Sequence, residues 1–97
     1  MSNNNNTQPL SNELQNVEKL INKGEFEKSF SLIQQIKTKD FFFYILYAKI
    51  CIALDKMNEA IASIEKAEEF DKDNINCTFL RTYICIETRQ YDEAQKY

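Results

Sequence analysis

Met57-Asn58-Glu59-Ala60-Ile61-Ala62-Ser63-Ile64-Glu65-Lys66-Ala67-Glu68-Glu69-Phe70 decides the fold class. Its residues Met57, Ala60, Ile61, Ile64 and Ala67 recur at i, i+3, i+4, i+7 and i+10, while Glu59, Ser63, Lys66 and Glu69 lie mostly off that stripe. A period near 3.6 places the first set on one face of an α-helix, whereas a strand would alternate every second residue. Two positions on that face, Ala60 and Ala67, are small, and small side chains let helices cross closely.

The flanking segments extend the helical reading. Upstream, Phe41–Leu54 is apolar on nearly all sides, so a helix there must be covered on more than one face. A buried strand competes for this run because of its aromatic and β-branched content, but its length favours a helix. Further upstream, Leu14, Val17, Leu20 and Ile21 form one stripe and Phe26, Phe30, Ile33 and Ile36 another. Lys23-Gly24-Glu25 separates them, with the only glycine where a helix end favours a residue tolerant of positive φ. Downstream, Asp71-Lys72-Asp73-Asn74 supplies a polar turn with N-cap candidates. A fifth helix is predicted over 75–88, carrying Phe79, Leu80, Tyr83, Ile84 and Ile86. Arg89-Gln90 is predicted to connect it to a short sixth helical segment, Tyr91–Tyr97. Residues 1–10, with Asn3-Asn4-Asn5-Asn6, read as a disordered tail.

Composition narrows the function classes. The 97 residues suit one small domain, and one Gly with one Pro disfavours a fold built on many hairpin turns. A net charge of −3 lacks the basic excess of a phosphate-binding surface, so nucleic acid is disfavoured. Histidine is absent, which removes the commonest general acid–base group and every Cys-His or Ser-His-Asp arrangement within the chain. A single glycine cannot build a phosphate-cradling loop. Cys51, Cys77 and Cys85 have neither the number nor the spacing of a disulfide framework or zinc site, and read as reduced, mostly buried thiols. No catalytic residue, metal or cofactor is expected. The apolar run 41–54 is too short to span a bilayer and carries Lys49. With a polar N-terminus lacking a secretory signal, the expected location is the cytoplasm, with the nucleus as the alternative.

The segments also repeat. Met57-Asn58-Glu59-Ala60 matches Tyr91-Asp92-Glu93-Ala94 at an offset of 34 (94 − 60), and Ile50, Cys51 and Ile52 meet Ile84, Cys85 and Ile86 in the same register. Phe26-Glu27-Lys28-Ser29 joins at an offset of 31 (60 − 29), with the deletion near Lys39-Asp40. The repeats are therefore about 10–40, 41–74 and 75–97, the third incomplete.

At this register the chain resembles the tetratricopeptide family, whose 34-residue unit is a helix–turn–helix. The second repeat carries the resemblance: Tyr44 in the first-helix aromatic slot, Ala48 at the close crossing, and Ala60 and Ala67 in the small slots of the second helix. Lys72 stands for the closing proline, Asp55 and Arg89 for the turn glycine, Ser29 for an alanine, Val17 in a small slot and Thr78 in an aromatic one. The resemblance implies an all-α fold of antiparallel helix–turn–helix repeats stacked as a short right-handed α-solenoid over residues 11–97. It implies a protein–protein interaction scaffold, part of a larger assembly, with further C-terminal repeats in the parent chain. An RNA-binding pentatricopeptide-like array and a purely structural solenoid segment without a ligand are the alternatives.

In that family the first helices line a concave groove for a peptide or partner helix. By register the groove here would use Phe42, Ile45 and Lys49 from the third helix and Asn76, Phe79, Tyr83 and Glu87 from the fifth. Leu14, Glu18, Phe42, Leu46 and Lys49 stand where some members carry a Lys/Asn/Arg clamp for acidic chaperone tails, so no such clamp is expected. The expected partner is a hydrophobic or amphipathic helical segment.

Overall fold

A computed structural model describes residues 11–96, with side chains described for residues 11–88. The tail predicted over 1–10 lies outside the described residues. Among the described residues the chain is all-helical, without strands: α1 (Asn12–Asn22), α2 (Phe26–Ile33), α3 (Phe41–Ala53), α4 (Met57–Phe70) and α5 (Ile75–Lys96). The run that could have been a buried strand is α3.

Three helices start on side-chain caps. The Ser11 hydroxyl accepts from the Leu14 N–H at 3.2 Å, Asp40 Oδ1 from the Phe43 N–H at 2.9 Å, and Asn74 Oδ1 from the Asn76 N–H at 2.8 Å. Each such cap contributes about 1 kcal/mol by satisfying an orphan donor of the first turn. α2 and α4 begin at Glu25 and Lys56 with no side-chain cap. Their entry is set instead by the turn before them, and the two turns are the same motif. Gly24 has φ +80° and Asp55 φ +64°. The Glu25 N–H donates to the Leu20 carbonyl (2.9 Å) and the Gly24 N–H to Ile21 (2.9 Å); in the second turn Lys56 donates to Cys51 (2.7 Å) and Asp55 to Ile52 (3.1 Å). This paired bonding around one left-handed residue closes a helix and redirects the chain within three residues.

Packing explains why α3 is apolar all round. On one side Phe43, Leu46 and Ile50 join Leu14, Val17, Ile33 and Ile36 in a buried cluster. On the other, Ile45, Ala48 and Cys51 join Ala60, Ile64 and Ala67 of α4 and Cys77, Leu80 and Ile84 of α5. α3 thus sits between two clusters and needs apolar residues toward both. α1 contacts α3 and α3 contacts α5; α2 contacts α1 and α3, and α4 contacts α3 and α5. Among the described residues the backbones of α2 and α4 do not meet.

Two expectations are corrected. Ile36 is buried as its stripe predicts, but it lies beyond the end of α2, in the connection to α3. The expected connection at Arg89-Gln90 and the sixth helical segment do not form: α5 runs unbroken from Ile75 to Lys96. The two turns that do form place Gly24 and Asp55 in the left-handed region. Arg89, at the corresponding register position, would pay about 1–2 kcal/mol there. Arg and Gln are both good helix formers, so continuing the helix avoids that cost.

Candidate partner-binding surface

The seven residues singled out by register separate into three groups. Ile45 is 4% exposed and belongs to the core between α3, α4 and α5, so it offers a partner no surface. Phe42 is half-buried against the first cluster and meets Phe41 edge-to-face, with ring centroids 5.1 Å apart. Lys49, one turn beyond Ile45, is exposed. The remaining four, Asn76, Phe79, Tyr83 and Glu87, follow one another along α5 at helical spacing. Asn76 and Phe79 are exposed, Tyr83 is 41% exposed and Glu87 is half-buried. The Glu87 carboxylate, through its charge and then its hydrogen bond, pushes the Tyr83 hydroxyl above its ordinary pKa. Tyr83 therefore keeps its proton and its hydroxyl donates a hydrogen bond to the Glu87 carboxylate.

The sequence reading omitted two apolar members of this surface. Ile75 and Ile86 are 78% and 49% exposed, and with Phe79 and Tyr83 they make α5 the richest source of exposed large apolar side chains in the described residues. Their signal was present as the spacing 75, 79, 83, 86. It was obscured by Cys77, Leu80 and Ile84, which alternate with them and face the core.

A second feature gave no sequence signal. Gln34, Lys39, Phe43, Tyr44, Tyr47 and Ser63 line a cleft of about 340 Å³. It adjoins the place where α2 and α4 fail to meet. The Phe43 ring stacks with Tyr47 at 5.8 Å and 29°, and the Lys39 ammonium lies 5.9 Å from the Phe43 centroid, within cation–π range. Burial, then the neighbouring Cys51, raises the Tyr47 hydroxyl pKa, against a hydrogen bond from Gln34 that lowers it. Tyr47 is therefore a neutral hydrogen-bonding group, without the depressed pKa of an activated nucleophile.

Electrostatics elsewhere are structural. Arg81 Nε and Nη2 donate to Glu68 Oε2 and Oε1 at 2.7 and 2.8 Å, a bidentate pair tying α5 to α4. That hydrogen bonding lowers the Glu68 pKa and raises that of Arg81. Cys51 and Cys77 are buried and Cys85 is exposed, so two of the three thiols are buried. Among the described residues no three His, Cys, Asp or Glu side chains gather as a metal site, and no helix is long and apolar enough to cross a membrane.

Set against known proteins, the chain matches no family model, no curated protein and no solved structure.

Proposed function

We propose that the chain is a tetratricopeptide-like interaction module, a short right-handed α-solenoid whose first helices α3 and α5 bind a partner helix without catalysis. One observation carries the reading: positions related by the repeat register share one environment. Leu14 and Ile45, Val17 and Ala48, Ser29 and Ala60, Ile33 and Ile64, and Ile36 and Ala67 are each 31 residues apart, and all ten are buried. The two left-handed turn residues, Gly24 and Asp55, obey the same offset. The helix contacts agree, since α1, α3 and α5 form one row and α2 and α4 each wedge beside it. Repeats of this kind bury a continuous core only by stacking, which leaves one row of helices to meet a ligand.

The partner surface is then Phe42 and Lys49 on α3 with Asn76, Phe79, Tyr83 and Glu87 on α5. Its apolar residues with isolated charges suit an amphipathic helix, and it lacks the cationic cluster an acidic chaperone tail needs. A role as one element of a larger cytoplasmic assembly follows from the same reading. The test is a fluorescence-anisotropy screen of labelled amphipathic helical peptides against the wild type and a Phe42→Ala plus Tyr83→Ala double variant. Micromolar binding that weakens at least tenfold in the double variant supports the surface. Binding unchanged by it, or tight binding of an acidic chaperone-tail peptide, overturns it.

A further inference from the structure

The exposed stripe of α5 is self-complementary. At about 100° per residue, Ile75, Phe79, Tyr83 and Ile86 fall within an arc of about 80° on one side of the helix. The opposite side, Cys77, Leu80 and Ile84, is spent on the core. Along the axis the stripe reads isoleucine, aromatic, aromatic, isoleucine. Turned end for end, it presents nearly the same pattern. An antiparallel pair of such helices sets Ile75 against Ile86 of the second copy, and Phe79 against Thr82 and Tyr83 of the second copy.

We infer that this stripe is a self-association surface, on which a second copy of this chain docks through an antiparallel, two-fold α5–α5 contact. Three further observations select this occupant and this orientation. The other end of the helix row is unsuited to stacking on α5, because α1 exposes Asn12, Glu13, Asn16, Lys19 and Asn22 on its outer side. A head-to-tail contact would therefore bury α5's apolar stripe against charge and amide. Orientation follows from Glu87. Antiparallel pairing sets it near the Asn76 side-chain amide of the second copy, the Asn74 amide already donating to Asp71 at 3.0 Å, whereas parallel pairing sets it directly beside its own counterpart, a like-charge contact. Area is also adequate. Aromatic side chains bury about 150–250 Å² each, and with Ile75 78%, Phe79 67%, Tyr83 41% and Ile86 49% exposed, the stripe leaves roughly 400–500 Å² open per copy. With all of it covered, two copies bury at most about 1,000 Å², the size of a weak, transient interface.

This inference shares Phe79 and Tyr83 with the proposed partner-helix surface but does not rest on it, because the self-complementary stripe is a property of α5 alone, and Phe42, which belongs only to the partner surface, tells the two apart. Sedimentation equilibrium of the full chain over 1–500 μM tests it. The expected result is a monomer–dimer equilibrium that Phe79→Glu weakens at least tenfold and Phe42→Ala changes less than twofold, with helical circular dichroism retained in both. A chain monomeric at 500 μM overturns the inference, as does a dimer that Phe79→Glu leaves intact. Orientation is tested in a Cys85→Ser background by mixing Ile75→Cys and Ile86→Cys chains under mild oxidation. Disulfides linking the two different variants support the antiparallel contact; disulfides forming only within each variant alone overturn it.

Discussion

Phe79 stands on α5 where Ile45 stands on α3, 34 residues earlier, yet Phe79 is 67% exposed and Ile45 is 4% exposed. The difference lies in the neighbours and owes nothing to the residue type. Ile45 is covered because α5 packs against α3 and α4, whereas no described helix follows α5. The two positions should therefore respond to truncation in opposite proportion to their size. Ile45→Ala removes fewer atoms than Phe79→Ala but leaves a cavity, and should cost about 2–5 kcal/mol. Phe79→Ala should change stability by less than about 0.5 kcal/mol at concentrations where the chain is monomeric. Urea denaturation at 5 μM followed by circular dichroism measures both.

The two left-handed turns give a paired test of backbone strain. A Cβ built on Gly24 would meet nothing within 4 Å, so Gly24→Ala carries only the conformational cost of a positive φ, about 1–2 kcal/mol. Asp55 already bears that strain at φ +64°. Asp55→Gly should relieve it, offset in part by the greater freedom of glycine in the unfolded chain, for a net gain of up to about 1 kcal/mol. Opposite shifts of the urea midpoint are expected. Equal destabilisation by both changes would mean that the Asp55 side chain holds the turn by contacts of its own.

Ser29 and Ala60 occupy equivalent, fully buried positions. The Ser29 hydroxyl donates to the Phe26 carbonyl at 2.8 Å, three residues back on the same helix. No partner outside α2 depends on it, and alanine is the better helix former. Ser29→Ala should therefore be neutral or stabilising by a few tenths of a kcal/mol. The reverse swap in size, Ala60→Leu, forces a large side chain into the α3–α4 crossing and should cost at least about 1–3 kcal/mol. Thermal melts of the two variants separate these outcomes.

How far the sequence reading reached depends on which residues had neighbours close in the chain. Ala60, Ile64 and Ala67 repeat within one helix, so their shared face was legible from spacing alone, and Gly24 announced its turn by residue type. Asp55 makes the same turn without that signal, and only the repeat register marked it. The break expected at Arg89-Gln90 came from the same register and failed, because a repeat offset does not include the local energy that keeps a helix running through Arg and Gln. On the candidate surface, the register selected Phe79 and Tyr83, which are exposed, together with Ile45, which is not. The burial of Ile45 is decided by α5, thirty residues away in sequence, where no period within α3 reaches. The cleft between Gln34, Tyr47 and Ser63 was invisible for the same reason: it is a gap between helices, and a period within one helix carries no trace of it.

The thiols provide a pH-resolved check on the core. Burial, and then the charge of Glu59, pushes the Cys51 thiol up to about 11, and burial with Glu68 and Asp71 raises Cys77. In the unfolded chain both revert to about 8.5. Folding thus favours the protonated thiols, and the stability tied to them is fully present below about pH 8.5 and lost as pH rises through the folded-state value. Urea midpoints should fall between pH 9 and 11, and the fall should be shallower in Cys51→Ala, whose constant cavity cost leaves the slope as the readout. Cys85 is exposed and should react with a thiol-specific reagent in the native protein, whereas Cys51 and Cys77 should react only after unfolding. Three thiols labelled at one rate at pH 8 would mean that α3 and α5 open far more readily than their packing around Cys51 and Cys77 implies.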